Sequence, residues 1–348
     1  MKSKHPKAAR SQQSVLDTSD SGYLKDKVIL VTGGTGSFGK RFIDKLLKTE
    51  ARKIIIFSRD ELKQSEMQAS LKDPLEKLRF FLGDIRDQER LHRAFVGVNY
   101  VVHAAALKQV PTLEYNPFEA IKTNVIGSQN IIDAAINQGV ERVIALSTDK
   151  AANPCNLYGA TKLCSEKLFV AGNSYAGTKS TRFSAVRYGN VIGSRGSVVP
   201  LFLARKESGS VPITDERMTR FWITLDQGVN FVVNCLRSMT GGEIFVPKIS
   251  SMRIVDLAKA LAPGCKLMKI GMRPGERLHE VLLTDDESAR TRDLGDHYAI
   301  HPAAAPGDPT RPMPGIPVAP DFRYASETNS EWLTEKGLEG MMRSITGS

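Results

Sequence analysis

In the stretch TDKAANPCNLYGATK, residues 148–162, an acid and a lysine stand side by side as Asp149 and Lys150, and Tyr158 precedes a second lysine, Lys162, by four positions. If YGATKLCSEKLFVA is helical, that spacing puts Tyr158 and Lys162 on one face. A free phenol has a pKa of about 10 and is a poor acceptor of a hydroxyl proton at neutral pH. An adjacent ammonium stabilises the phenolate and lowers that value. The pair therefore suits removal of an alcohol proton while a hydride leaves the same carbon, and Lys162 can also bond a nicotinamide ribose. Asp149 and Lys150 alone would read as a solvated turn. Their place at the carboxyl end of a predicted parallel strand, where ligands bind in open α/β sheets, favours a site.

The elements that must hold these groups are visible as alternation. Apolar runs KVILVT, KIIIFS, LRFFLG, YVVHAA, RVIALS and RFSAVRYGN are separated by amphipathic stretches. This predicts an α/β fold, a Rossmann-type doubly wound parallel sheet covered on both faces, with a smaller C-terminal substrate-binding lobe. The expected boundaries are a disordered tail over 1–22, a dinucleotide domain over 23–190 with 221–240 packing back on it, and a lobe over 191–300. Residues 301–348 follow as a proline-rich extended segment and a terminal helix.

The first strand ends in VTGGTGSFGKRF, where Gly33, Gly36 and Gly39 recur every three residues before a helix. Glycine there permits a tight turn, close approach to a pyrophosphate and close helix packing, and the helix start supplies amide donors. Thr35, Ser37 and Phe38 belong to the same predicted cofactor loop. Strand two ends FSRDELKQ. A carboxylate at this point would suit the ribose of NAD, and a cation the 2′-phosphate of NADP. Ser58 and Arg59 come before Asp60, and Lys63 follows one turn later, so NADP is predicted, with Arg59 as its main phosphate contact. Asp60 as a plain helix cap is the alternative. Asp84 with Ile85 is placed at the adenine, Ala104, Ala105 and Ala106 under the cofactor, and Lys108 and Asn124 beside it. His103 reads as a strand-end packing residue.

The 348 residues and 41% hydrophobic content allow a sizeable core. No run approaches the roughly 20 apolar residues of a membrane helix, and the N-terminus lacks a secretory apolar core, so a cytoplasmic enzyme with no membrane partner is expected. Four dispersed cysteines, Cys155, Cys164, Cys235 and Cys265, suggest neither a metal site nor a disulfide framework. The net charge of +10 is spread among acids, without the aromatic interleaving of single-strand binders. It fits a small polyanion rather than nucleic acid.

TGGTGSFG with YGATK resembles the extended short-chain dehydrogenase/reductases that modify nucleotide-bound sugars. SRDELKQSEM, STDKAANPCNLYGATKLCSEKLF, RYGNVIGSRGSVVP, ITDERMTRFWIT and RPGERLHE narrow the likeness to the inverting UDP-N-acetylglucosamine 4,6-dehydratases of pseudaminic-acid biosynthesis, over roughly residues 25–300. The resemblance implies hydride removal from C4 of the sugar, loss of the C5 proton, expulsion of the C6 hydroxyl and return of the hydride to C6. It assigns the alcohol step to Tyr158 with Lys162, the C5 proton to Lys150, protonation of the leaving hydroxyl to Asp149 and orientation of the C4 hydroxyl to Thr148. A lysine base must act neutral, so burial or Lys162 is expected to depress Lys150. The substrate UDP-N-acetylglucosamine is expected to meet Lys150, Tyr158, Asn190, Arg195, Arg220, Arg273 and Glu276, the arginines gripping its diphosphate. The family also implies a homo-oligomer, a dimer or hexamer. A nucleotide-sugar 4-epimerase, or a silent NADP-sensing regulator, is the alternative reading.

Overall fold

Six strands form in sequence order wherever β-branched and aliphatic residues run together: β1 (Val28–Thr32), β2 (Lys53–Ser58), β3 (Leu78–Leu82), β4 (Tyr100–His103), β5 (Arg142–Leu146) and β6 (Arg182–Val186). The computed structural model describes residues 22–73, 75–193, 198–303 and 313–346. Residues 1–21 of the tail expected over 1–22, Arg195 and most of the proline-rich segment lie outside the described residues. β1 and β4 are buried along their whole length, as strands covered on both faces must be.

β1 pairs in parallel with both β2 and β4, so the chain reverses direction across the sheet at this point. The order β3-β2-β1-β4-β5-β6 leaves a crevice at the carboxyl ends of β1 and β4, the place where such sheets bind ligands. The helices that connect these strands are α1 (Ser37–Leu47), α2 (Glu61–Ser70), α3 (Gln88–Ala94), the short α4 (Val110–Tyr115) and α5 (Pro117–Ile121), α6 (Gly127–Gln138) and α7 (Leu157–Tyr175). α7 carries Tyr158 and Lys162 in its first turns, and Asn156 caps it by accepting the Gly159 N–H at 2.8 Å.

Beyond α7 the sheet does not stop. After β7 (Asn190–Val191), α8 (Val198–Arg205), β8 (Ser210–Ile213), β9 (Thr219–Ile223) and α9 (Leu225–Ser238), strand β10 (Ile244–Pro247) joins β6 in parallel. β11 (Ser250–Arg253), α10 (Ile254–Leu261), β12 (Lys266–Lys269) and β13 (Val281–Leu283) follow. β14 (Thr291–Asp293), β15 (His297–Ile300) and β16 (Ile316–Pro317) then extend the main sheet antiparallel to ten strands. The lobe expected over 191–300 is therefore interleaved with the main sheet, because 244–247 and 291–300 find their hydrogen-bond partners there.

A second core of Phe202, Val211, Ile213, Met218, Trp222 and Leu257 lies under the remaining lobe elements. The terminal helix, α11 (Glu335–Thr346), places Leu338 and Met341 in that core. β17 (Tyr324–Ala325) pairs with β13, so the end of the chain is tied to the segment that precedes the antiparallel edge. No helix among the described residues is long and apolar enough to cross a membrane.

Candidate active site

A cleft of about 700 Å³ opens at the crevice between β1 and β4. Its floor is the glycine loop. Gly33 has φ +66°, and a Cβ there would lie 2.8 Å from the Ala105 nitrogen, so the loop and the alanines after β4 touch backbone to backbone. A Cβ on Gly39 would come within 2.5 Å of Gly34, which only a bare helix start avoids. Thr35, Gly36, Ser37 and Phe38 complete this wall, with Ala104, Ala106 and Lys108 opposite. The closeness of these backbones and the amide-rich start of α1 fit a dinucleotide pyrophosphate.

At the end of β2, Ser58, Arg59, Asp60 and Lys63 line the cleft. Asp60 caps α2 by accepting the Lys63 N–H, and its carboxylate also takes a bond from the Lys63 ammonium. Those contacts hold the Asp60 carboxyl below the usual carboxylate range. The Arg59 guanidinium lies 3.6 Å from Asp84, which Arg86 also grips. Asp84 and Ile85 line the cleft as expected. Asn124 does not. It sits on a π-helical turn over Lys122–Ile126, a widening that aims its amide inward. There it accepts the Leu107 N–H and donates to the Leu107 carbonyl, both at 2.9 Å, and so holds the loop that carries Ala104–Lys108.

The far end of the cleft is built by the 3₁₀ turn Asp149–Ala151 against the start of α7. Thr148 donates to Asp149 Oδ1 at 2.8 Å and Lys150 Nζ donates to the same oxygen at 2.9 Å. Asp149 is fully buried, and its Oδ2 has no hydrogen-bond partner. Thr123 Oγ1 and Ser147 Oγ, also on cleft residues, are likewise unpartnered. Such orphans ask for a polar ligand.

The charge states differ from expectation. Burial works to lower the Lys150 pKa, but Asp149 and Glu280 outweigh it and raise it above the ordinary lysine value. Lys162 is the depressed ammonium, brought down to about 8 by burial with Glu166 opposing. Burial also raises the Tyr158 phenol, against the pull of Lys150 and a Thr148 hydrogen bond. His103 is sealed in the core, bonded to Thr32 at 2.7 Å, and burial beside Lys162 brings its pKa down to about 3.

A family model described as polysaccharide biosynthesis protein matches residues 29–302. The chain belongs to this family. Within it, a Campylobacter jejuni protein named UDP-N-acetylglucosamine 4,6-dehydratase (inverting) is 52% identical over 331 residues, covering 92% of this chain and 98% of that protein. A Rickettsia canadensis protein named UDP-glucose 4-epimerase is 44% identical, covering 79% of this chain and 83% of that protein. Among solved structures, Pen from Bacillus thuringiensis superposes with a TM-score of 0.85 at 35% identity, covering 93% of this chain and 99% of that one. The dTDP-glucose 4,6-dehydratase DesIV from Streptomyces venezuelae, with NAD and TYD bound, gives 0.64 at 26% identity over 72% of this chain and 86% of its own.

Against this family frame the expected substrate residues divide. Asn190 lines the cleft beside Tyr188 and Gly189. Arg220 does not reach it. Its guanidinium donates to the carbonyls of Thr219, Arg277 and Leu278 and lies 3.5 Å from Glu280, so its donors are spent inside the protein. Arg273 and Glu276 pair with each other outside the cleft lining, on a loop whose Gly275 carbonyl accepts a bond from Asn156 at 2.8 Å. Tyr188 and Ser147 also line the cleft, a place their positions in RYGN and at the end of RVIALS, both strand ends, make available.

Proposed function

We propose that the protein is an inverting UDP-N-acetylglucosamine 4,6-dehydratase that uses NADP and yields a UDP-4-keto-6-deoxy-N-acetyl-L-hexosamine of the kind consumed in pseudaminic-acid biosynthesis. The reading includes a homo-oligomer working in the cytoplasm. The observation that carries it is the bonded pair of buried Asp149 and half-buried Lys150 in one cleft with Tyr158 and Lys162, which an alcohol dehydrogenation alone would not need.

Gly33, Thr35, Gly36, Ser37, Phe38 and Gly39 would hold the pyrophosphate, and Arg59 with Lys63 the 2′-phosphate. When bound, the nicotinamide supplies a hydride acceptor and later a donor. Tyr158 takes the C4 hydroxyl proton, with Thr148 orienting that hydroxyl and the Lys162 ammonium near the forming phenolate. Lys150 Nζ takes the C5 proton and Asp149 protonates the departing C6 hydroxyl. In the free protein this pair carries its proton on Lys150, held as an ammonium by Asp149 and Glu280. One proton crossing the 2.9 Å bond from Nζ to Oδ1 makes it an amine and a carboxylic acid, which is the base and the acid that the elimination needs. The net charge of the site does not change in that transfer, but the raised Lys150 pKa opposes it.

Incubation of the purified protein with UDP-N-acetylglucosamine in deuterated water, followed by NMR, tests the reading. The expected product is the 4-keto-6-deoxy sugar with solvent deuterium at C5 and reversed C5 configuration. Formation of the galacto epimer alone would instead support the epimerase reading suggested by the Rickettsia relatives. In the same assay Lys150→Ala should lower turnover by about 10²–10⁴-fold, while circular dichroism and nucleotide titration stay as in the parent protein.

A further inference from the structure

Lys150 has a second acidic neighbour that does not line the cleft. Glu280 Oε1 lies 3.6 Å from Lys150 Nζ, and the Glu280 side chain is only 5% exposed. It is fixed from three sides. Its carboxylate is 3.5 Å from Arg220 Nε, its N–H donates to Ser326 Oγ at 2.9 Å, and its carbonyl accepts the Ser326 N–H at 2.9 Å. Arg220 in turn is bonded to the carbonyls of Arg277 and Leu278, the residues leading to Glu280. This is a braced carboxylate behind the base, not a substrate contact.

We propose that Glu280 is a positioning residue for Lys150, an anchor braced by Arg220 at its carboxylate and by Ser326 at its backbone. The inference rests on the reading that Lys150 takes the C5 proton. In that cycle Asp149 gains and gives up a proton, so its ionic hold on the lysine lapses whenever it is the acid and only their hydrogen bond remains. Glu280 takes no part in the transfers and has Arg220 as its own cation, so it holds the amine over C5 in both states. When Lys150 becomes an ammonium on taking the C5 proton, Glu280 also stabilises that charge. The charged or titratable groups around Lys150 are Asp149 on its own turn, Tyr158 on α7, Arg220 on β9 and Glu280. Glu280 and Asp149 favour the ammonium and Arg220 opposes it.

The test compares parent protein, Glu280→Gln and Glu280→Asp in two partial reactions with UDP-N-acetylglucosamine. One is single-turnover reduction of the bound nicotinamide, which uses Tyr158, Lys162 and Thr148 but not Lys150. The other is C5 exchange with deuterated water. In Glu280→Gln the C5 exchange should fall about 10–100-fold, with KM and nicotinamide reduction within about threefold of the parent. Its acidic limb should move to lower pH, since one carboxylate that favours the ammonium is gone. Glu280→Asp should recover part of the rate. C5 exchange equal to the parent's, or a fall matched by nicotinamide reduction, would overturn the anchor role. If urea melts show Glu280→Gln unfolded, Arg220→Lys is compared in the same way, with the same selective loss expected and the same results overturning it. A parent protein that makes no 4-keto-6-deoxy sugar would instead overturn the dehydratase reading itself.

Discussion

Residue by residue, the charges of the site are set by what each group is buried against. Lys162 is 4% exposed, and its only opposing influence is Glu166, so its pKa falls from 10.5 to about 8. A lysine depressed in this way binds fewer protons folded than unfolded between those two values. Stability then rises with pH across that window, and below pH 8 the full penalty, on the order of 3 kcal/mol, is present. Lys162→Met should therefore raise the stability of the nucleotide-free protein at pH 7 by up to about that amount. The gain should shrink toward pH 10.5, as urea melts at the two ends of the range would record, and turnover should be lost. The proposed NADP preference belongs to this scale too. Asp60 caps α2 and pairs with the Lys63 ammonium, while Arg59 lines that corner 3.6 Å from Asp84. Arg59→Ala should remove most of the discrimination between NADP and NAD in a fluorescence titration; an unchanged ratio would reject Arg59 as the phosphate contact.

At the scale of elements, the critical seam is where the first turn of α7 meets the turn Asp149–Ala151. A Cβ on Gly159 would stand 2.1 Å from the Lys150 carbonyl oxygen. That approach brings Tyr158 and Lys150 into one cleft. Gly159→Ala must push the two elements apart, at a cost of about 1–3 kcal/mol. Turnover should fall by more than nucleotide affinity does, since the glycine loop proposed to hold the pyrophosphate is not displaced. Local signals made much of this legible. The six parallel strands, the cofactor loop and the α7 face follow from runs and spacings a few residues long, and the chain folds as they indicate. What short spacing cannot carry is pairing across the chain. Asn124 is polar and close to the cofactor wall in sequence, yet a π turn aims it at Leu107. Arg220 resembles a phosphate ligand until Leu278 and Glu280 arrive to consume its donors. Glu280 closes the quoted motif RPGERLHE, but its meaning depends on meeting Lys150, and no periodicity encodes that meeting.

In the whole molecule, a buried ion triad joins the cofactor half to the C-terminal half. Arg187, fully buried after β6, bonds Glu166 on α7 at 2.6 Å and Glu287 at 2.9 Å, and donates to the Leu282 carbonyl of β13 at 3.0 Å. Burial opposes the charge on Arg187, and the two carboxylates outweigh it, so its pKa rises. Removing the cation strands two carboxylates in the interior. Arg187→Met should cost about 3–5 kcal/mol in a urea melt, and replacing Glu166 and Glu287 by Gln in the same chain should return part of it.

The bonds from Ser326 to Glu280 impose an order on synthesis. A ribosome releases the glycine loop and its strands well before Ser326, and nascent chains fold from their leading end. On the role proposed for Glu280, a growing chain can thus acquire a nucleotide pocket while its elimination chemistry still waits for Ser326. Prematurely terminated products would be expected to sequester cofactor without turning over sugar.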